Sequence, residues 1–370
     1  NVYVNTFTQK NAGTMRAIVL GDRSVLDDEI KELYKKNGIS HILAISALHI
    51  TMVGMLVYRM LKKIISVIRA AVLSSVIMLF YLYITGNSVS AGRAVIMILV
   101  FMLADVLGRT SDGANTLGLA VVILIIKNPY CISNAGFLMS FLAMAGIIFV
   151  KPIFSNEETI MLFFRKKKMV SITEMFIYHN IIDMLITGLC VQIATLPVVL
   201  SMSGQIAIIS LLLNIVVIPL MSVIMVSGIL TGIMGLISMK AAIWTAGAGE
   251  YILDLYSWLC EKASGSSGAV IVTGHPPEKA VVLYYVFLIV WCVIYYMKVF
   301  SGISGKYRNV LPVILYLIIT IQLRYDTGCS MKISMLDVGQ GDSIVLQTSD
   351  GFNALFDGGS TSKKNIGRYR

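Results

Sequence analysis

Apolar stretches of membrane length recur along this chain, and that repetition restricts its fold more than any other feature. About 20 apolar residues in an α-helix cross the hydrocarbon of a bilayer. Inside lipid every backbone N–H and C=O must find a partner, which leaves helices or closed barrels as the spanning structures. The length and spacing of the runs predict an all-α polytopic membrane protein, with spans at 42–61, 67–85, 91–107, 114–126, 132–150, 181–200, 280–296 and 310–323. Composition agrees, since a chain 57% hydrophobic, 14% charged and of mean hydropathy +0.81 is too apolar for a soluble globular protein.

The stretch 206–237 is too long for one span and carries Pro219 near its middle. Proline removes a backbone donor, so two short helices, or a pair entering and leaving on one face, are expected there. The expected number of transmembrane helices is then about 8 to 10. At about 241–262, Trp244, Ala248, Tyr251, Ile252, Leu255 and Leu259 form one helical stripe, with Glu250, Asp254, Ser257 and Glu261 opposite. That pattern predicts an amphipathic helix lying in the interface.

Loop charge sets the orientation. Lys62, Lys63 and Arg69 follow the first span, Arg109 the third, Lys151 and the "RKKK" run at 165–168 the fifth, and Lys298, Lys306 and Arg308 lie between the last two. The intervening loops carry little charge. Basic loops face the cytoplasm, so both ends of the chain are expected outside the cell membrane. The same rule accounts for the net charge of +10 without invoking nucleic acid. The five cysteines form no C-x-x-C pair and read as packing residues.

Residues 1–40 read as a soluble helical lead-in. Ser24 is the expected cap with Asp27 three residues on, Leu26, Ile30, Leu33 and Tyr34 make the apolar stripe, and Asn37 and Gly38 end it. The membrane domain is expected over 41–325. From Met331 the pattern changes to short β-rich runs at 333–336, 343–347 and 353–356 separated by Gly-Asp turns. The tail 331–370 is too short to close a core, and Asn1 is no initiator methionine, so both ends read as internal to a longer chain.

Polar groups inside spans are candidates for function because they are costly in lipid. Ser46 and His49 share one helical face, Arg93 opens the third span, Gln192 and Thr195 share a face of the sixth, and Ser210 and Asn214 precede Pro219. Together they form a candidate translocation seam. The competing reading is structural: interhelical hydrogen bonds contribute about 1 kcal/mol each, and an arginine near a helix end snorkels to the interface. Packing is the better account of Ser46, Thr195 and Ser210, His49 fits both, and Asn214 beside a proline fits a pathway. The chain contains neither a phosphate-binding G-x-x-x-x-G-K-[ST] motif nor a zinc-type H-E-x-x-H motif, so any energy source is expected in another subunit or a gradient.

The segment "LGDRSVLDDEIKELYKKNGISHILAISALHI" resembles the entry signature of ComEC-type competence proteins. The likeness continues in order through "SVSAGRAVIM", "NAGFLMSFLAMAGI", "ATLPVVLSMSGQIAIISLLLNIVVIPL" and "MLDVGQGDSIVLQTSDGFNALFDGGS". It implies a channel importing single-stranded DNA, with membrane lipid around it, a DNA-receptor protein and a cytoplasmic ATPase as partners, and self-association into a homo-oligomer. It also implies that the tail begins a metallo-β-lactamase-like α/β domain. Carried over by motif, Asp22 and Arg23 match the G-D-R stretch, Ser46 and His49 the S-G-L-H motif, Arg93 the R-A pair, and Asn214 with Pro219 the N-x-x-x-x-P segment. Asp337, Asp342 and Asp357 match the D-V-G-Q-G-D and D-G-G turns. Ala47 replaces the usual glycine. The tail has no histidine, so no cofactor or enzymatic activity is assigned to these residues, and a divalent metal is expected only in a longer C-terminal domain. The alternatives are a membrane-anchored hydrolase or nuclease of metallo-β-lactamase fold and a small-molecule permease.

Overall fold

Short polar side chains start the membrane helices. Ser88 accepts from the Ala91 N–H, Asp112 from those of Ala114 and Asn115, and Asn134 from those of Gly136 and Phe137; each replaces a partner that the first turn of a helix lacks. The computed structural model describes residues 2–43, 47–86, 88–155, 172–265, 270–272, 274–297, 331–335, 343–348 and 352–357. The helices are α1 Val2–Thr6, α2 Gln9–Leu20, α3 Asp28–Lys36, α4 Ala47–Lys62, α5 Val67–Ile84, α6 Val89–Val106 and α7 Gly113–Lys127. They continue with α8 Ala135–Phe154, α9 Ile172–Ser203, α10 Ser210–Ile237, α11 Met239–Ser264 and α12 Glu278–Tyr296.

The chain is a polytopic helical membrane protein. Among the described residues, six helices are long and apolar enough to cross a bilayer: α5, α6, α8, the Asn180–Ser203 part of α9, α10 and α12. The first and fourth expected spans correspond to α4 and α7, of 16 and 15 residues, shorter than a helix needs to cross unaided. The expected span at 310–323 and the basic loops at 165–168 and 298–308 lie outside the described residues.

The expected break at Pro219 does not occur: α10 is one 28-residue helix. A proline deprives a single carbonyl, four residues back, of its donor, and the turns on either side hold the helix together. Two residues before the proline, Tyr256 Oη in α11 donates to Val217 O at 2.7 Å. Helix α9 contains Pro197, and the carbonyl it strands, Ile193 O, accepts from Tyr284 Oη of α12 at 2.7 Å.

Helix α11 turns back from α10 at Ser238 and packs along it. Its buried face is Ala242, Ala246, Gly249, Leu253, Tyr256 and Cys260. Of the expected apolar stripe, Ile252 is buried, and Trp244 and Tyr251 are 89% and 76% exposed. Small residues let the two backbones approach, so the bulky aromatics turn away. The opposite, acidic face meets the lead-in: Glu250 Oε1 accepts from Thr8 Oγ1 at 2.6 Å and Asn11 Nδ2 at 2.8 Å, and Asp254 Oδ1 from Asn11 Nδ2 at 2.8 Å.

The lead-in packs on α10 and α11. Tyr3, Phe7, Met15, Ile18, Ile30 and Tyr34 share one buried core with Leu213, Val217, Met221, Leu253 and Tyr256. Tyr3 Oη donates to Gly228 O at 2.9 Å. A Cβ at Gly228 would stand 2.6 Å from Val19 Cγ2, so only glycine admits this seat. Asp27, not Ser24, caps α3, accepting from the Glu29 N–H; the Ser24 hydroxyl is bonded to Asp22 instead.

Strands β1 Gln205–Ala207 and β2 Val270–Val272 pair antiparallel, Gln205 opposite Val272. They join the start of α10 to the segment after α11. The chain divides into two units, Asn1–Tyr316 and Leu317–Arg370. In the second, β3 Met331–Met335, β4 Ile344–Thr348 and β5 Asn353–Phe356 form an antiparallel meander with Met331 opposite Thr348 and Ile344 opposite Phe356.

Candidate functional site

Two polar clusters occupy the membrane helices. The first joins α6 to α8. Arg93, one turn into α6, is only 5% exposed. Its Nε donates to Ser140 Oγ at 2.9 Å, Ser140 Oγ lies 3.0 Å from Ser90 Oγ, and Nη1 approaches Met97 Sδ at 3.3 Å. The guanidinium carbon sits 5.7 Å from the Phe141 ring centroid. Snorkelling is thus replaced by burial: the side chain runs between helices toward Ser140 rather than out to the interface.

The second cluster joins α9 to the start of α10. Gln192 Nε2 donates to Ser210 Oγ at 2.9 Å, and Ser210 Oγ donates to Ala207 O at 2.7 Å. Asn214 Oδ1, one turn further along α10, is buried and has no hydrogen-bond partner among the described residues. Thr195 Oγ1 bonds back to Val191 O at 2.8 Å within its own helix. His49, on α4, is 1% exposed, while Ser46 lies outside the described residues. The candidate seam thus resolves into one cluster on α6 and α8 and another on α9 and α10, with no hydrogen bond between them among the described residues.

At the other end of α6, Asp105 Oδ2 accepts from Tyr58 Oη at 2.6 Å and Lys62 Nζ at 2.5 Å. At the end of α8, Lys151 Nζ bonds Asp183 Oδ2 at 2.8 Å. These carboxylates sit beside lysines next to the basic loops, and Arg93 lies at the opposite end of its helix.

The G-D-R stretch braces the entry to α4. Gly21, at φ 76°, closes α2 in the left-handed conformation. Asp22 Oδ1 accepts from the Ser24 N–H at 3.0 Å and from its hydroxyl at 2.6 Å, and Oδ2 pairs with Arg16. These bonds hold the Asp22 carboxyl down at about 2. Arg23 Nε donates to Leu43 O at 3.2 Å. In the tail, Asp357 follows β5 with φ 60°, and its carbonyl accepts from Ser343 Oγ at 2.9 Å; Asp337 and Asp342 lie outside the described residues. Among the described residues no three His, Cys, Asp or Glu side chains gather as metal ligands.

Residues 18–298 match the family described as Competence protein. The chain belongs to that family. It is 25% identical over 338 residues, 90% of its length, to ComE operon protein 3 of Bacillus subtilis (strain 168). It is 31% identical over 145 residues, 37% of its length, to Competence protein ComA of Neisseria gonorrhoeae. The matches cover 40% and 21% of those relatives' own lengths, so this competence-family chain corresponds to only part of each. No solved structure matches it. Reading the sequence alone left out Ser90, Ser140, Asp105, Asp183 and Tyr284. Their partners are 32 to 91 residues away, so no local pattern points to them, although Asp183 inside an apolar run is itself a signal.

Proposed function

We propose that this chain is the membrane part of a DNA-import apparatus, passing single-stranded DNA across the cytoplasmic membrane with both soluble ends outside. One observation carries the reading: residues 18–298, which match the competence family, are the membrane helices themselves. A helix bundle that merely anchored an external hydrolase would concentrate its likeness in the soluble tail. The relative named Competence protein ComA points the same way.

On this reading Arg93, Gln192, Asn214, His49 and Ser46 line or border the route, and contact is to the sugar-phosphate backbone rather than to bases. A DNA-receptor protein delivers the strand outside, an ATPase works at the cytoplasmic face, and any divalent metal belongs to a longer C-terminal domain. The test is uptake of labelled DNA into a nuclease-protected compartment, in a host deleted for this gene and complemented with it. Deletion is expected to abolish protected uptake while leaving surface-bound DNA. Wild-type uptake and transformation in the deletion strain would refute the reading.

A further inference from the structure

We infer that the cluster around Arg93 is an intramembrane seat for a single phosphodiester anion, the backbone phosphate of a DNA strand in transit. The inference deepens the import reading and rests on it.

The starting point is a charge without a counter-charge. Arg93 is 95% removed from solvent, and among the described residues no carboxylate lies within ion-pair distance of it. Removing a guanidinium from water is costly unless an anion or a full set of acceptors receives it. Here the acceptors are one hydroxyl, one thioether sulfur and the face of Phe141. A guanidinium carries five N–H donors, and thioether sulfur is a weak acceptor, so Ser140 Oγ on Nε is the one strong acceptor that it has among the described residues.

The rest of the cluster suits an oxyanion. Ser140 Oγ accepts from Arg93 Nε, which leaves its own proton to give, and Ser90 Oγ lies 3.0 Å away. A planar fork with a hydroxyl at its edge matches two oxygens of a tetrahedral anion. Helices α6 and α8 both begin nearby, at Val89 and Ala135, and their positive dipole ends add to the field. Charge selects the ligand further. One guanidinium neutralises one phosphodiester, whereas a phosphomonoester dianion would leave a surplus charge between the helices. The Arg93 side chain also lies between α6 and α8 under Phe141, which favours a single strand over a two-chain lipid.

The test compares two thymidine dodecamers, one with the natural phosphodiester backbone and one with an uncharged methylphosphonate backbone, binding to the 370-residue chain in nanodiscs. Arg93→Gln is expected to weaken the phosphodiester strand tenfold or more, Arg93→Lys by less, and neither to change the methylphosphonate strand. Thermal unfolding of each variant is measured alongside. If Arg93→Gln lowers the melting temperature but leaves the phosphodiester-to-methylphosphonate ratio at its wild-type value, the arginine is structural and the inference fails. One phosphatidylglycerol per chain, retained by the wild type and lost in Arg93→Gln with unchanged strand binding, would overturn it in favour of lipid. Wild-type DNA uptake in an Arg93→Gln strain would remove this seat while leaving the import reading standing. Normal uptake in the deletion strain would remove both.

Discussion

Replacing Tyr284 by phenylalanine is expected to destabilise the bundle only while Pro197 is present. Pro197 has no N–H, so Ile193 O lacks its helical donor, and Tyr284 Oη supplies one from α12 at 2.7 Å. All three residues are buried, so water does not readily take over when the hydroxyl goes. Leaving a buried carbonyl unpaired costs about 1–3 kcal/mol, and side-chain hydrogen bonds in membrane proteins average ~0.6 with a maximum of ~1.7 kcal/mol. Together these place Tyr284→Phe at about 1–2 kcal/mol. In a Pro197→Ala background, residue 197 has its own N–H for Ile193 O, and the same change is expected to cost about 0.5 kcal/mol or less, a coupling of roughly 1 kcal/mol. Effects of Pro197→Ala on the unfolded chain appear in both arms and cancel. The assay is a double-mutant cycle of unfolding in mixed micelles followed by circular dichroism. Equal costs for Tyr284→Phe in the two backgrounds would refute the compensation.

The remaining predictions concern orientation, route and pH. A cysteine at Ser266 is expected to react with an impermeant reagent in whole cells and one at Lys167 is not; the reverse pattern inverts the direction of entry. His49→Ala and Asn214→Leu are expected to lower protected DNA uptake at wild-type membrane abundance, and uptake falling only in step with protein level would make both residues packing. Asp22 is held to about 2 in the folded chain, below the carboxylate value of about 4 in an unfolded one. Its stabilising contribution is therefore present above about pH 4 and is lost as pH falls toward about 2. Asp22→Asn should flatten that acid limb of the melting temperature, and an unchanged limb would count against it.

Hydropathy exposes the spans because bilayer thickness imposes a length that no tertiary contact can alter. It does not tell a broken helix from a mended one. Pro219 and Pro197 carry the same local signal, and the hydroxyls that serve their helices, Tyr256 and Tyr284, come 39 and 91 residues after the carbonyls they bond. Arg93 shows the same limit: snorkelling follows from its place near a helix end, and only the position of Ser140 on another helix turns it inward. In α11 the aromatic stripe was legible, but the small-residue face that packs on α10, Ala242, Ala246 and Gly249, was not. The charged face was legible, but its partners, Thr8 and Asn11, are more than 230 residues away.

That distance sets an order of events during synthesis. The core holding Tyr3, Met15 and Ile18 is completed by Leu213, Leu253 and Tyr256, some 200 residues later. At about 5–20 residues per second the first helices wait roughly 10–40 s for their partners. Throughout that interval α1 and α2 have only the early part of their core, such as Ile30, Tyr34 and Leu43, and lack the part that α10 and α11 supply, Gly228 included. A nascent chain arrested before Ser210 therefore presents α1 and α2 with part of their core missing, open to proteases or chaperones, whereas release after Ser264 lets them dock fully. Helices α1 and α2 are thus made some 200 residues before the partners that complete their place.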